Sequence, residues 1–302
     1  MLEYGEKDST PYSLFTLGLI ALFSWTFLIR GNVFTHLYES SESFSTSFLP
    51  DSLIIVWRMF CFLFGLSAIV YMFRMKTGTM IVIDHETRKE VTLHPIGIKK
   101  FVTFSSWTLL CNAIYFLLAM VSSLAIYSTF SVPKWLYITQ ILFFATALGS
   151  AFLTSTIVRY IILPGEVRAR RNHERQFYFH NQMMHNFATI FLAVEIILFQ
   201  PELQPHFAVF GLIFGSLYAL FAYPFAYFGG GYYVYSFIDP RLKYAPLLVS
   251  GLAGIISIFY LGLWILSLLM SYNSIIGTLV AVLWVSLIVQ FRPEPFEPKD
   301  EI

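Results

Sequence analysis

Two ionisable side chains stand inside an apolar stretch of this sequence. The segment HNQMMHNFATIFLAVEIILF carries His185 and Glu195 in a run that is otherwise typical of a membrane-spanning helix. An ionisable group in the hydrocarbon of a bilayer is costly, so it marks either a functional site or a pairing with another helix. The ten residues between them give about 15 Å of helical rise, which keeps the two side chains apart. Each therefore needs a partner on another helix.

The chemistry open to His185 is that of a general base. A histidine within hydrogen-bond reach of a hydroxyl removes its proton, and a hydroxyl activated in this way attacks ester carbonyls. Thr103, in GIKKFVTFSSW, is the hydroxyl expected at the depth of His185. Ser105 and Ser106 are within one turn of it, so spacing does not choose among the three. The alternative is a neutral, hydrogen-bonded His185 and a Thr103 that only starts or packs a helix.

Glu195 has a candidate partner near the opposite membrane surface. Arg58, in SLIIVWRMFCF, is expected about 9 Å below that surface, at a depth similar to that of Glu195. The matched depths predict a buried ion pair that fixes helix packing, because unpaired charges at this depth are the costly alternative. A second hypothesis is that Arg58 binds a ligand carboxylate. Arg159, near the cytosolic end of its helix, either extends to the headgroups or meets a ligand near Thr103.

The histidines do not match a metal site. His173, His180 and His185 are seven and five residues apart, and positions five apart on an α-helix diverge by about 140°. The clustered H-x-x-H-H boxes of membrane di-iron enzymes are absent from the sequence. We therefore expect no metal.

The elements that must position these residues are membrane helices. Hydrophobic residues make up 57% of the chain and charged residues 12%, which is the composition of a polytopic membrane protein. Apolar runs of about 20 residues are long enough to cross a bilayer. The sequence predicts an all-α protein with about eight such helices, at residues 12–30, 52–73, 101–130, 135–163, 178–200, 207–228, 244–271 and 274–291.

The loops indicate how the helices are oriented. Lys and Arg concentrate in the second, fourth and sixth loops, and short loops rich in these residues stay in the cytosol. Both termini are then cytosolic, in a multi-pass protein of the endoplasmic reticulum or plasma membrane. The second loop, about residues 76–97, predicts a small β-hairpin, and residues 292–302 predict a flexible tail. The net charge of +1 gives no indication of nucleic-acid binding.

Three short segments, GIKKFVTF, NQMMHNFATIFLAVEIIL and YFGGGYYVYSF, resemble motifs of one family. This is the androgen-induced and androgen-dependent TFPI-regulating protein family, membrane hydrolases of fatty acid esters of hydroxy fatty acids. The first segment is similar to G-x-W-K-Y-[ML]-T-[FL] and puts the family's nucleophilic threonine on Thr103. The second resembles N-H-x-M-H-T with a following glutamate, which puts the catalytic histidine on His185 and the glutamate on Glu195. The third is similar to G-T-W-V-Y-P, and the matching residues are Gly231, Val234 and Tyr235.

The resemblance implies a six-helix core, about residues 50–270, around a cavity open to lipid. It implies a Thr103–His185 pair acting on a lipid ester, with membrane lipids as partners and no metal or nucleotide cofactor. An alignment through NAIYF moves the nucleophile to Ser105. Independently of that alignment, Arg159 is a candidate for binding the substrate carboxylate, and Asn112, about nine residues deeper than Thr103, is a candidate oxyanion donor. Helices 12–30 and 274–291 have no family counterpart. The alternative function is a non-enzymatic lipid-binding, transport or scaffold protein.

Overall fold

The computed structural model describes residues 3–5, 8–44, 47–293 and 295, so most of the predicted flexible tail lies outside the described residues. All helices except α2 and α9 are apolar and long enough to cross a bilayer, which makes seven within the described residues. This confirms the prediction of an all-α polytopic membrane protein. The helices are α1 (Thr10–Arg30), α2 (Val33–Glu39), α3 (Asp51–Arg74), α4 (Phe104–Tyr127), α5 (Lys134–Arg168), α6 (Phe179–Phe199), α7 (Pro205–Gly229), α8 (Ala245–Tyr272) and α9 (Ser274–Ile288).

Helix α9 corresponds to the last of the eight predicted spans, but it has only 15 residues. At 1.5 Å per residue it is about 22 Å long, which is shorter than a hydrocarbon core of about 30 Å. It starts where the side chains of Gln200 and Ser274 hydrogen-bond. It ends where the Asn186 amide donates to the carbonyl of Gln290 at 2.7 Å and accepts its N–H at 3.0 Å. The predicted eight spans are therefore seven long helices and one short helix that runs antiparallel to α6.

Small residues bring α7 and α8 into close contact. Gly211 and Gly215 are four residues apart on one face of α7, which is the spacing that lets membrane helices approach closely. A Cβ atom at Gly211 would lie 2.8 Å from the backbone nitrogen of Ser257, and one at Gly215 would lie 2.9 Å from Cα of Ala253. Neither position has room for a side chain, so the two glycines set the distance between the helices.

The predicted hairpin in the second loop is present. Strand β1 (Met80–Asp84) pairs antiparallel with β2 (Glu90–Leu93), from Met80↔Leu93 to Ile83↔Glu90. A third strand, β3 (Tyr232–Tyr233), pairs antiparallel with the other edge of β1. It follows the glycine-rich break after α7, at Gly231, which has the left-handed φ of +73° that glycine adopts most easily. The sheet therefore ties the second loop to the sixth.

The loops rich in Lys and Arg meet on one face of the protein, which we call the basic face. The fourth loop contacts β2 through a 2.7 Å ion pair between Arg171 and Glu90. The N-terminal segment joins them, because the hydroxyl of Tyr4 donates to Asp239 in the sixth loop at 3.1 Å. Since α9 runs antiparallel to α6, the chain also leaves α9 toward the basic face. Both described ends of the chain are thus directed to the same face.

Candidate active site

His185 lies on a π-helical segment of α6, Met183–Phe187. A π-helix closes i→i+5 hydrogen bonds and is frequent at functional sites. The wider turn changes the expected geometry of the two histidines in α6. His180 and His185 line the same cavity, whereas an uninterrupted α-helix would turn them away from each other. The expected divergence of about 140° holds for an α-helix without such a segment. Helix α5 has a similar π segment at Val158–Ile162, also at its end on the basic face.

Thr103 is the N-cap of α4 and precedes its first turn. Its Oγ1 accepts the backbone N–H of Ser106 at 3.2 Å, and this is the usual way in which a threonine satisfies a free N–H group at a helix start. The same oxygen lies 2.7 Å from Oγ of Ser106 and 3.2 Å from Oγ of Ser105. The three hydroxyls that spacing did not separate thus form one hydrogen-bonded group. A 3-10 turn, Gly97–Val102, leads into it.

These hydroxyls and both histidines share a cavity of about 320 Å³ at the basic face, which we call the polar cavity. It lies between the sheet, the start of α4, the fourth loop and the start of α6. Its lining includes charged side chains as well as hydroxyls and imidazoles. The polar residues that matter here are Lys100, Thr103, Ser105, Ser106, Glu166, Arg171, Arg175, His180, His185 and Tyr235.

A second cavity of about 90 Å³ lies deeper, among α5, α7 and α8, and we call it the apolar cavity. Most of its lining is aliphatic or aromatic, for example Leu153 and Ile256. Ser105, His185 and Tyr235 are the polar side chains that line both cavities. Thr103 lines only the polar cavity. Ser105, His185 and Tyr235 therefore stand at the boundary between a polar and an apolar compartment.

Tyr235 belongs to the loop after β3 and reaches back to the start of α4. Its hydroxyl oxygen accepts the backbone N–H of Phe104 at 3.2 Å. Burial raises the pKa of Tyr235 to about 12, although its hydrogen bonds to Phe104 and Ser105 oppose that rise. The side chain is therefore a neutral phenol at physiological pH and has a proton to donate. The sequence indicates Tyr235 only as a residue of the third motif. Tyr235 and Thr103 are far apart along the chain, so sequence does not predict that they lie close together.

The imidazole of His185 is buried, and its Nδ1 has no hydrogen-bond partner among the described residues. Its backbone is held firmly, since the hydroxyl of Ser155 donates to the carbonyl of His185 and contacts Thr189 at 2.6 Å. Within the described part of the chain, no hydrogen bond joins His185 to Thr103 or Ser105. The backbone at His185 is therefore held in place, and no described residue occupies Nδ1 of its ring, which can accept a proton or bind a ligand.

The predicted pair of Arg58 and Glu195 is present, at 2.9 Å and almost completely buried. Glu195 also accepts hydrogen bonds from Nε1 of Trp57 at 3.0 Å and from the hydroxyl of Tyr115 at 2.6 Å. Arg58 donates to Ser123 at 2.7 Å. With protein partners on both sides, this network supports the structural role for Arg58 and leaves little reason for a ligand carboxylate there. It also shows that Glu195 does not orient His185.

Two other predicted site residues lie outside both cavities. The guanidinium of Arg159 donates to the backbone carbonyl of Val289, just after α9. Asn112 is fully buried, and neither its amide oxygen nor its amide nitrogen has a partner among the described residues. Neither side chain lines the polar or the apolar cavity. The structure thus does not bring Arg159 or Asn112 into either cavity, and their proposed roles toward a substrate stay predictions.

Comparison of the chain with known protein families, with curated proteins and with solved structures finds no match. The family resemblance of the three motifs therefore stays a prediction. The structural feature that bears on function is the position of Ser105, His185 and Tyr235 between a polar and an apolar cavity.

Proposed function

We propose that this chain is an integral-membrane hydrolase that cleaves ester lipids, such as fatty acid esters of hydroxy fatty acids. The observation that carries the proposal is the position of Ser105, His185 and Tyr235, which line both the polar and the apolar cavity. An amphiphile with its polar end in the first cavity and an acyl chain in the second has its polar–apolar junction beside these side chains. In an ester lipid, a carbonyl lies near that junction.

The nucleophile is one of the hydroxyls at the start of α4, and the geometry favours Ser105 because it lines both cavities. Thr103 uses Oγ1 to cap α4 and faces only the polar cavity. Ser105 is in the first turn of α4, where the helix dipole stabilises developing negative charge, and it faces both cavities. Thr103, the residue that the resemblance implies, is the competing assignment.

The reaction follows the general scheme of acyl transfer. As the hydroxyl oxygen attacks the ester carbonyl, His185 takes the hydroxyl proton. The C–O bond to the alcohol breaks, the alcohol receives that proton, and an acyl-enzyme ester remains. Water from the polar cavity then attacks the acyl-enzyme, and His185 removes its proton and returns it to the hydroxyl. The products are a free acid and an alcohol.

Tyr235 is the candidate that stabilises the tetrahedral intermediate. Its neutral phenol can donate a hydrogen bond at physiological pH and stands beside the nucleophile in both cavities. A donor aimed at a developing oxyanion lowers the barrier because its dipole is already oriented. Catalytic hydrogen bonds, such as one between His185 and Ser105, often shorten only in the substrate complex.

A non-enzymatic lipid-binding protein is the second candidate function. The observation in its favour is the missing hydrogen bond between His185 and the hydroxyls of α4. Both functions use the two cavities, so only turnover distinguishes them.

We also propose that the basic face is cytosolic, because short loops rich in Lys and Arg are retained on that side. The polar cavity then opens to the cytosol, which supplies water for hydrolysis. The membrane in question is the endoplasmic reticulum or the plasma membrane.

Hydrolysis of a labelled fatty acid ester of a hydroxy fatty acid by the purified protein tests the proposal. We expect Ser105→Ala, His185→Ala and the double variant to lose nearly all turnover to a similar extent, because members of one catalytic unit are not additive. Thr103→Ala should keep turnover. Its free energy of unfolding should fall by about 1 kcal/mol, because the substitution removes the side-chain cap of α4.

Thr108→Ala is the matched control, because that hydroxyl is buried in the same helix, donates to the carbonyl of Phe104, and lines neither cavity. It should behave like the wild type. A dead Thr103→Ala beside an active Ser105→Ala would move the nucleophile to Thr103. A wild-type protein without turnover on any ester lipid would reject hydrolysis in favour of lipid binding.

A further inference from the structure

Lys100 is a buried cation on the wall of the polar cavity. Only 8% of its surface is exposed, whereas the preceding residue, Lys99, is exposed to solvent. The ammonium donates to the backbone carbonyl of Thr77 at 2.8 Å and more weakly to that of Met75 at 3.5 Å. An ammonium has three N–H donors, so the two carbonyls leave one donor for another acceptor.

The other cations of the polar cavity already have carboxylate partners. Arg171 pairs with Glu90 at 2.7 Å, and Arg175 pairs with Glu166 at 3.1 Å. Lys100 has no carboxylate partner among the described residues. Among the described residues, the charged side chains that line the cavity are Lys100, Arg171, Arg175, Glu90 and Glu166. With neutral histidines they sum to one positive charge, and the unpaired charge is that of Lys100. A buried charge without a countercharge is unfavourable, so an anion in this cavity would be stabilised.

The backbone around Lys100 holds the ammonium in position. Gly78 passes so close that a Cβ atom there would lie 2.4 Å from the carbonyl oxygen of Pro95 and 3.0 Å from Cε of Lys100. His94 fixes this segment further, because its Nδ1 lies 2.8 Å from the carbonyl of Gly78. A larger residue at Gly78 would displace either the loop or the lysine. The cation is thus placed by the fold and does not move freely at the surface.

Other buried polar atoms of the polar cavity also lack partners among the described residues. They include Nδ1 of both His180 and His185. Each histidine is more than nine-tenths buried. One acceptor, Oε2 of Glu166, is also unpartnered, but its other oxygen is neutralised by Arg175. In the tautomer that carries the proton on Nδ1, each imidazole can donate a hydrogen bond to an anionic oxygen in the cavity.

We propose that the polar cavity binds the anionic group of a lipid amphiphile, with Lys100 as its countercharge. The identity of the substrate rests on the proposed hydrolase function. If that function holds, the anion site implies that the substrate is an ester lipid with an acidic head. An ammonium and imidazole N–H groups can bind either a carboxylate or a phosphate. The experiment below distinguishes the two. The acyl part enters the apolar cavity, on the far side of Ser105 and His185.

Ligand binding to the full chain in phosphatidylcholine nanodiscs tests this directly and does not require turnover. The ligands are oleic acid, oleoyl lysophosphatidic acid and uncharged monooleoylglycerol. We expect at least one of the two anions to bind at least tenfold more tightly than monooleoylglycerol, and its affinity to fall as salt is raised. The tighter of the two anions identifies carboxylate or phosphate as the preferred group.

Lys100→Met should lose at least tenfold in affinity for that anion and keep its affinity for monooleoylglycerol. Lys99→Met is the matched control and should bind like the wild type. Equal binding of all three ligands to the wild type would overturn the proposal, and this comparison stands even if Lys100→Met does not fold. Wild-type affinity in a folded Lys100→Met would also overturn it. Anion binding without hydrolysis would reject the proposed hydrolase and keep the anion site.

Discussion

Removal of the Glu195 carboxylate should be among the most destabilising single changes in this protein. Three side chains donate to it: Trp57 at 3.0 Å, Arg58 at 2.9 Å and Tyr115 at 2.6 Å. In Glu195→Ala these donors lose their acceptor at a position that is 0% exposed. Among the described residues, Arg58, which is 2% exposed, then keeps as hydrogen-bond partners Ser123 at 2.7 Å and, at a long 3.4 Å, the carbonyl of Ala119. A buried guanidinium is then left without a countercharge.

The size of the effect follows from these contacts. Breaking a buried ion pair by removing one partner costs about 3 to 5 kcal/mol. At roughly 2 to 4 °C per kcal/mol for a chain of this size, the melting temperature should fall by about 6 to 20 °C. Replacing both partners with apolar residues is often nearly neutral, because no unpaired charge remains. Arg58→Met combined with Glu195→Met should therefore recover much of the loss seen in either single variant.

Thermal unfolding in detergent, followed by tryptophan fluorescence, measures these differences. Glu202→Ala is the control, because that carboxylate is exposed and should not change the melting temperature measurably. The reasoning would be refuted if Glu195→Ala melted within about 2 °C of the wild type. It would also be refuted if the double variant lost the full sum of the single losses, since the two side chains would then act independently.

The remaining predictions concern packing, pH and topology. Gly211→Leu and Gly215→Val should each lower the free energy of unfolding by about 1 to 3 kcal/mol, because they overpack the contact of α7 with α8. Gly18→Ala should not lower it in the same melting assay, because an added Cβ there has no described atom within 4 Å. The pKa of Tyr235 is raised from 10.0 to about 12, so the folded protein holds this proton more tightly than the unfolded chain; its contribution to stability is complete below pH 10 and is lost as pH rises through about 12. Between pH 9 and 12 the melting temperature should therefore fall less steeply for Tyr235→Phe than for the wild type. Tags on both termini should be digested by protease added to the cytosolic side of sealed vesicles, and a protected C-terminal tag would contradict the cytosolic basic face.

The features that sequence could predict are those with a strong local signal. Apolar runs revealed the membrane helices, and the polar centre of TMIVIDHETRKEVTL between apolar ends revealed the hairpin of β1 and β2. The pairing of Arg58 with Glu195 followed from depth alone, because a helix has a constant rise and charges inside a membrane have few possible partners. These inferences needed no knowledge of how the helices pack.

The rest depends on tertiary packing that no local pattern records. The π segment at Met183–Phe187 has the composition of an ordinary helix, yet it turns His180 toward the cavity of His185. The burial of Lys100 beside an exposed Lys99 depends on the carbonyls of a distant loop. The apolar run 274–291 predicts a helix of spanning length, whereas α9 ends at Ile288 and is too short to span the hydrocarbon core. Tyr235 reaches Phe104 only because β3 joins the sheet of the second loop.

A hydroxyl at the start of α4, activated by His185, is proposed to attack an ester at the boundary of the two cavities. Labelling with a lipid-tailed fluorophosphonate, followed by mass spectrometry of the labelled peptides, tests it most directly, because the probe forms a stable bond only with an activated nucleophile. The adduct is predicted on Ser105 of the wild type, absent from His185→Ala and undiminished in Thr108→Ala. An adduct on Thr103 would correct the nucleophile, and no adduct at either hydroxyl would contradict the catalytic claim.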